Sequence, residues 1–304
     1  MNNTPFLPFN PSGDSPLIVS YGMGVDSTAL LVGLAERGIR PDAILFADVG
    51  SEKPVTYEYG NTIMPEWLER VGFPPITWVK YQPQNFKNWP PYSSLEENCL
   101  TNSTLPSLAF GFKSCSQKWK IAPQDKWTTN WQNAREAWSQ GLKVKKFIGY
   151  DSGPADIRRR NHLGSNEHDL FSYEYPLINW GWDRAKCKDA ITNAGLPIPE
   201  KSACYFCPAT KPHELHSMPK DLLRRIVMIE TRAAPRLGSV EGLWRSSTKT
   251  RPGRMTDYIR SQNLLDPSEV DFIATSTPTE AIYQNQIPNW QSFITSICDG
   301  CTCQ

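Results

Sequence analysis

The segment Ser20-Tyr21-Gly22-Met23-Gly24-Val25-Asp26-Ser27-Thr28 puts glycines, a carboxylate and hydroxyls between an apolar run, Pro16 to Val19, and a helical pattern, Ala29 to Arg37. Backbone N–H groups bared by glycine, hydroxyls beside them and a helix N-terminus aimed at the same point are the parts of an anion pocket. A plain glycine turn with an Asp/Ser cap uses the same residue types. A Walker A loop is excluded, because no Gly-Lys pair follows these glycines. A dinucleotide fingerprint is imitated by Gly22-x-Gly24 with Asp48 at the end of the next strand, but Ser27 stands where the third glycine belongs. The reading that uses Asp26-Ser27-Thr28 best is a pyrophosphate loop, in which amides and hydroxyls hold the β- and γ-phosphates of ATP while the α-phosphate is attacked.

A second set of reactive residues is sulfur. Cys204-x-x-Cys207 in a loop followed by Pro208 lets two thiolates converge on one ion, and is open to zinc, iron–sulfur or redox use. His213 and His216 offer a third metal option, with tighter spacing than a zinc finger. The tail Cys298-x-x-Cys301-x-Cys303 reads as a redox relay, a second metal site or inert thiols. Cys99 has no evident partner and reads as structural or inert.

These residues need a frame. Leu17–Ser20, Ala43–Asp48, Ile76–Lys80 and 145–150 read as strands; 26–37, 53–71 and 124–141 read as helices, as does 183–194. The alternation predicts an α/β fold, a doubly wound and mainly parallel sheet. Residues 82–106 read as a polar loop. Beyond about residue 200 the alternation stops, and 221–234, 254–262 and 266–275 read as helices. The expected domains are therefore 1–200, a nucleotide-binding α/β domain, and 201–304, a Cys-containing and mainly helical region.

The run SYGMGVDSTALLVGLAERGIRPDAILFADVGSEKPVTYEY strongly resembles the first strand-loop-helix-strand unit of the adenine nucleotide α-hydrolase superfamily, in its phosphoadenosine phosphosulfate reductase-like branch. The likeness continues through Ser114-Cys115-Ser116-Gln117-Lys118-Trp119-Lys120, Gly149-Tyr150-Asp151 with Arg158, Pro176-Leu177-Ile178 with Trp180-Gly181-Trp182, and Lys201-Ser202-Ala203-Cys204-Tyr205-Phe206-Cys207-Pro208. The loop departs from the compact Ser-Gly-Gly-x-Asp-Ser form, because Tyr21 and Met23 are interleaved with the glycines. The resemblance implies a Rossmann-like sheet with ATP at its C-terminal edge, cleaved to AMP and pyrophosphate as an acceptor oxygen is adenylated. Ser20, Gly22, Gly24, Asp26, Ser27 and Thr28 would hold phosphates and Mg²⁺. Asp48 and Gly50 would form an adenosine wall, for which Asp48 as a turn cap is the plainer alternative. Gly149 and Asp151 would lie at a second strand end, with Asp151 on metal or ribose. Lys118 and Arg158 would neutralise charge on the reacting phosphate, with Lys120, Arg159 and Arg160 nearby.

The same resemblance implies sulfur chemistry. Cys115, Cys187, Cys204 and Cys207 supply four thiols on the matching segments, the number needed by a 4Fe-4S cluster or by zinc; relatives that handle sulfur favour the cluster. A small buried apolar role is the alternative for Cys187. Implied partners are an adenine nucleotide, a nucleic-acid acceptor and a sulfur-donor protein. An adenylyl-sulfate reductase is the second enzyme reading, although Thr302 after Cys301 breaks that group's tail motif. A non-catalytic nucleotide- or nucleic-acid-binding module is the third.

Composition narrows the rest. With 39% hydrophobic and 21% charged residues the chain is globular rather than disordered, and a net charge of +1 gives no whole-molecule field for polyanions. Local recruitment of nucleic acid would fall to the C-terminal series from Arg224 to Arg260, with Trp244 and Tyr258 interleaved. No apolar run approaches the roughly 18 residues of a membrane span. The first sixteen residues lack the basic-then-apolar order of a signal peptide, so the expected location is cytoplasmic and the thiols reduced.

Overall fold

The structure, a computed structural model, describes residues 15–83, 92–106, 108–109, 112–113, 115–162, 168–279, 292 and 294–297. The tail cysteines Cys298, Cys301 and Cys303 lie outside them. The chain folds as two compact units. One comprises residues up to 48, 52–80 and 120–203; the other comprises 49–51, 81–119 and 204 onward. Residues 81–119, which the sequence places in the first domain, thus fold with the C-terminal part.

The strands in chain order are β1 (Leu17–Ser20), β2 (Ala43–Asp48), β3 (Ile76–Lys80), the two-residue β4 (Leu108–Ala109) and β5 (Phe112–Lys113), β6 (Val144–Ile148) and β7 (Phe171–Glu174). Five of them form the sheet of the first unit in the order β3-β2-β1-β6-β7, every pair parallel. Leu17, Val19, Ile44 and Phe46 face one apolar layer, while Ile18, Ala43, Leu45 and Val144 face another. Burial on both faces is why these strands are nearly continuous apolar runs. The chain runs outward from β1 to β3 and then returns to the other side of β1 as β6. That reversal opens a crevice at the C-terminal ends of β1 and β6, the usual ligand position in an open α/β sheet.

Three expected elements differ. Residues 53–71 are not one helix but Pro54–Glu58, a wide π-type turn over Tyr59–Ile63, and Met64–Arg70. The widening coincides with Pro65, which has no N–H to give the preceding turn, and with Gly60, where a Cβ would lie 2.3 Å from Met23 Cε. Residues 124–141 break at Trp131, which is extended, into Ala122–Asn130 and Gln132–Ser139. Inside the expected loop 82–106 lies a helix, Leu95–Asn102, begun by a capping box in which Ser94 Oγ accepts from Glu97 N–H at 3.1 Å.

The second unit packs around the helix Lys220–Ala233, which is buried on nearly every side. Much of the basic series is used in this architecture. Arg224 pairs with Glu269, Arg225 with Glu96, and Arg260 with Asp271; Arg232, 1% exposed, donates to the Leu100 and Pro278 carbonyls. Among the described residues no helix is long and apolar enough to cross a membrane.

Glu230 fixes the loop that follows this helix. Its carboxylate accepts from the N–H groups of Leu243 (2.7 Å), Met255 (3.0 Å) and Thr256 (2.7 Å) and from the Thr256 hydroxyl (2.6 Å). Burial raises its pKa, against those bonds. A carboxyl with a raised folded pKa loses stability as pH rises from its unfolded value through the folded one. Glu230→Gln puts an NH₂ where an acceptor is needed, and is expected to cost about 1–3 kcal/mol in urea unfolding; an unchanged midpoint would show that the loop does not depend on the carboxylate.

Candidate functional site

The loop from β1 to the helix Val25–Glu36 owes its shape to Met23, not to its glycines. Met23 is the left-handed residue of the turn, at φ 56°, while Gly24 is extended at φ −105° and ψ 174°. An L-residue there costs about 1–2 kcal/mol, offset by burial: Met23 is 1% exposed against Gly60, and Tyr21 is 2% exposed. The interleaved Tyr21 and Met23 therefore anchor the loop in the core. Gly22 and Gly24 take the alternate positions, and both of their N–H groups donate to Ser27 Oγ, at 3.1 and 3.3 Å. Two amides aimed at one oxygen at a helix N-terminus are what an anion's oxygen would meet.

Other groups close around this nest. Ser202 Oγ donates to the Gly22 carbonyl. Gly149 ends β6 so close to the loop that a Cβ would lie 2.8 Å from the Ser27 backbone. Ser20 Oγ is turned to Gln124 at 2.9 Å. Thr28 is fully buried, its hydroxyl 3.2 Å from that of Tyr21, so it serves the core side of the helix.

Beside the nest are three carboxylates. Oxygens of Asp26, Asp151 and Asp156 lie within 4.8 Å of one another, and among the described residues no other three His, Cys, Asp or Glu ligand atoms come so close together. Arg184 lies over them, with Nη1 2.7 Å from Asp26 Oδ1 and Nε 4.0 Å from Asp151 Oδ2. Asp151 is further held by Gly153 N–H at 2.8 Å and itself donates its N–H to Asp156. Burial lifts Asp26 to about 6; Arg184 works against that shift and the neighbouring carboxylates add to it. Such a cluster of oxygens suits a hard cation like Mg²⁺.

Among the arginines of the Pro154–His162 helix, Arg159 reaches this cluster, pairing with Asp156 at 2.9 Å and lying over the Tyr150 ring. Arg158, expected to neutralise charge there, is exposed, as Arg159 and Arg160 are. Asp156 and Arg184 are not among the residues the sequence marks; both stand in helices of mixed charge, where nothing local distinguishes them.

At the ends of β2 and β3, Asp48 is buried and accepts from Tyr57 OH at 2.7 Å and Lys80 Nζ at 2.8 Å. Nearby, Glu52 pairs with Lys120 at 2.8 Å, yet its buried Oε2 has no hydrogen-bond partner. An unsatisfied buried acceptor at a strand end seeks a donor such as a sugar hydroxyl or an exocyclic amine. Gly50 belongs to the second unit, at φ 67° and tight against Ser94, so its glycine is required by packing.

Lys118 also belongs to the second unit, as do Cys115, Cys204 and Cys207. Cys187 lies in the first, fully buried in the layer beneath the Val25–Glu36 helix, its thiol pushed to about 12 by burial and by nearby Asp26 and Asp151. The four expected ligands are thus divided between two cores. His213 and His216 sit on the short helix Pro212–His216, with His216 Nε2 3.1 Å from Tyr258 OH.

No protein-family model matches the chain, and no curated protein does.

Two consequences are measurable. Gly149→Ala forces the loop off β6 and is expected to cost about 1–3 kcal/mol, with a matching fall in melting temperature; a melt identical to the parent's would mean the approach is looser than described. Arg184→Gln removes the cation that restrains Asp26, so the Asp26 carboxyl titration followed by NMR should move above 6; a fall would show that Arg184 does not hold the carboxyl down.

Proposed function

We propose that the sheet unit binds ATP with Mg²⁺ and cleaves it between the α- and β-phosphates, passing the adenylyl group to an acceptor oxygen with release of pyrophosphate, AMP leaving when a nucleophile then displaces it from the acceptor. The observation that carries this reading is the convergence, at one reversal of strand order, of two amides aimed at a single oxygen and three clustered carboxylates. In this reading the Gly22 and Gly24 amides exchange Ser27 Oγ for a phosphate oxygen, and Ser27 becomes a donor. Asp26, Asp151 and Asp156 would hold Mg²⁺, displacing Arg184, which is then free to face the phosphates. An ion held by these carboxylates would offset negative charge on the leaving pyrophosphate. The acceptor oxygen bonds to the α-phosphorus, and the bond to the bridging oxygen breaks with its electron pair going to pyrophosphate. Glu52 Oε2 and the Asp48 network lie on the strand-end side suited to the nucleoside.

The resemblance to the adenine nucleotide α-hydrolases supports the same reading and extends it to sulfur transfer or sulfur modification of a nucleic acid, with a sulfur-donor protein as partner. A P-loop NTPase would attack the γ-phosphate and would need a lysine directly before the Ser/Thr at the helix start, where this chain has Asp26.

Incubation with ATP and Mg²⁺ and candidate acceptors is expected to give AMP and pyrophosphate in equal amounts; ADP, or no turnover with ATP bound, would overturn the reading in favour of γ-cleavage or a binding module. Asp26→Asn combined with Ser27→Ala is expected to lower turnover at least about 100-fold. Because Asp26 must lose its proton to bind a cation, Mg²⁺ affinity should rise with pH through about 6 and flatten above it. Calorimetric titration at several pH values reads this directly, and an affinity independent of pH would place the ion elsewhere.

A further inference from the structure

The second unit has a cleft of its own. It measures about 280 Å³ and is lined by residues between 95 and 119, from the Leu95–Asn102 helix to the segment 115–119. Leu105, Pro106 and Trp119 give it an apolar wall, and Asn98, Thr104 and Lys118 give it a polar one; among the described residues no carboxylate lines it. What these polar groups have left to offer is donors. Asn98 Oδ1 already accepts from Asn102 Nδ2 at 3.0 Å, so the end it has left is the NH₂. Thr104 Oγ1 is 3.5 Å from the Leu105 carbonyl, beyond the range of about 2.5–3.0 Å for a good O–H···O bond, so its proton is not spent there. Lys118 Nζ gives one N–H to Tyr92 OH at 3.2 Å and is steadied by the rings of Tyr81, Tyr92 and Trp119, 4.9, 5.4 and 5.9 Å away. Aromatic faces position an ammonium without neutralising it. Its other N–H bonds remain for a ligand. Lys118, which the resemblance assigns to the reacting phosphate, thus lines a different concavity.

We propose that this cleft binds a small organic monoanion, a carboxylate joined to a compact apolar body. Its oxygens take the donors of Lys118, Asn98 and Thr104, and its body lies against Leu105, Pro106 and Trp119. Several donors and a cation with no carboxylate among them select a negative ligand, and the apolar wall selects one with something to bury. A dianion such as sulfate would outweigh the single lysine and leave that wall unused. Size sets the class further. At roughly 30 Å³ for each water-sized group, the volume takes about nine non-hydrogen atoms, too few for a nucleotide and suited to an acid of benzoate size. The proposal does not rest on the ATP reading, because every residue it uses folds in the second unit.

Cys115 also lines the cleft and supplies the reporter. Its thiolate displaces iodide from iodoacetamide, a C–S bond forming as the C–I bond breaks and the thiol proton passing to solvent; mass spectrometry reads the label at that residue. In the full chain at constant ionic strength, benzoate at ~20 mM is expected to slow labelling of Cys115 at least about twofold. Benzamide, its uncharged counterpart, and inorganic sulfate should protect much less. Lys118→Gln should lose the protection by benzoate, with a thermal melt checking that the variant folds. Should it not fold, the comparison of benzoate with benzamide in the parent decides alone. Equal protection by benzamide would reduce the cleft to an apolar crevice, and equal protection by sulfate would reduce it to a simple anion contact; either overturns the proposal. So would labelling that benzoate does not slow, protection that survives Lys118→Gln, or a Cys115 that iodoacetamide cannot reach in the folded chain. Loss of ATP binding with protection by benzoate intact would count against the nucleotide reading alone.

Discussion

Three carboxylates within 4.8 Å of one another repel, and two arginines offset their charge: Arg159 pairs with Asp156, while Arg184 pairs with Asp26 and reaches Asp151. Arg184 comes from the helix Arg184–Asn193, which packs against the Val25–Glu36 helix that carries Asp26. The pair thus ties the segment after β7 to the loop after β1. The helix N-terminus beside Asp26 adds its own positive end. Even so, Asp26 remains above the ordinary carboxylate range, chiefly because burial disfavours its charged form and secondarily because Asp151 and Asp156 are near.

A similar compensation shapes the loop. A compact phosphate loop uses glycines at left-handed positions; here Met23 takes that position and is held by burial against Gly60. The backbone strain stays at Met23 and is offset by its burial against the helical segment over residues 54–70, where Gly60 leaves room for it. Gly22 and Gly24 then act by leaving their amides uncovered. Gly149 is the third glycine this arrangement needs, and it comes from β6 rather than from the loop.

Strand positions and the loop itself were legible because parallel strands buried on both faces write themselves as short apolar runs, and β1, β2 and β3 occur where Leu17–Ser20, Ala43–Asp48 and Ile76–Lys80 predict them. Asp26 and Asp151 were legible for the same reason, since each follows a strand end. Asp156 and Arg184 were not, because a charged residue on a polar helix carries no local mark of what it meets after folding. The helix Leu95–Asn102 had a signal, the Ser94 to Glu97 capping box, masked by the surrounding prolines and asparagines.

The division of the cysteines follows from topology rather than from motif. A stretch that leaves the sheet after β3 and returns before the helix Ala122–Asn130 contributes Cys99 and Cys115 to the second core, where Cys204 and Cys207 also arrive. Cys187 stays on a helix that covers the sheet. Residues from two separate stretches of sequence therefore meet in one apolar core. Asp26, Asp151 and Asp156 all fold with the sheet unit, so that, Cys187 apart, oxygen and sulfur donors that alternate along the chain are sorted by the topology into different units, and no spacing within one motif could have shown that sorting.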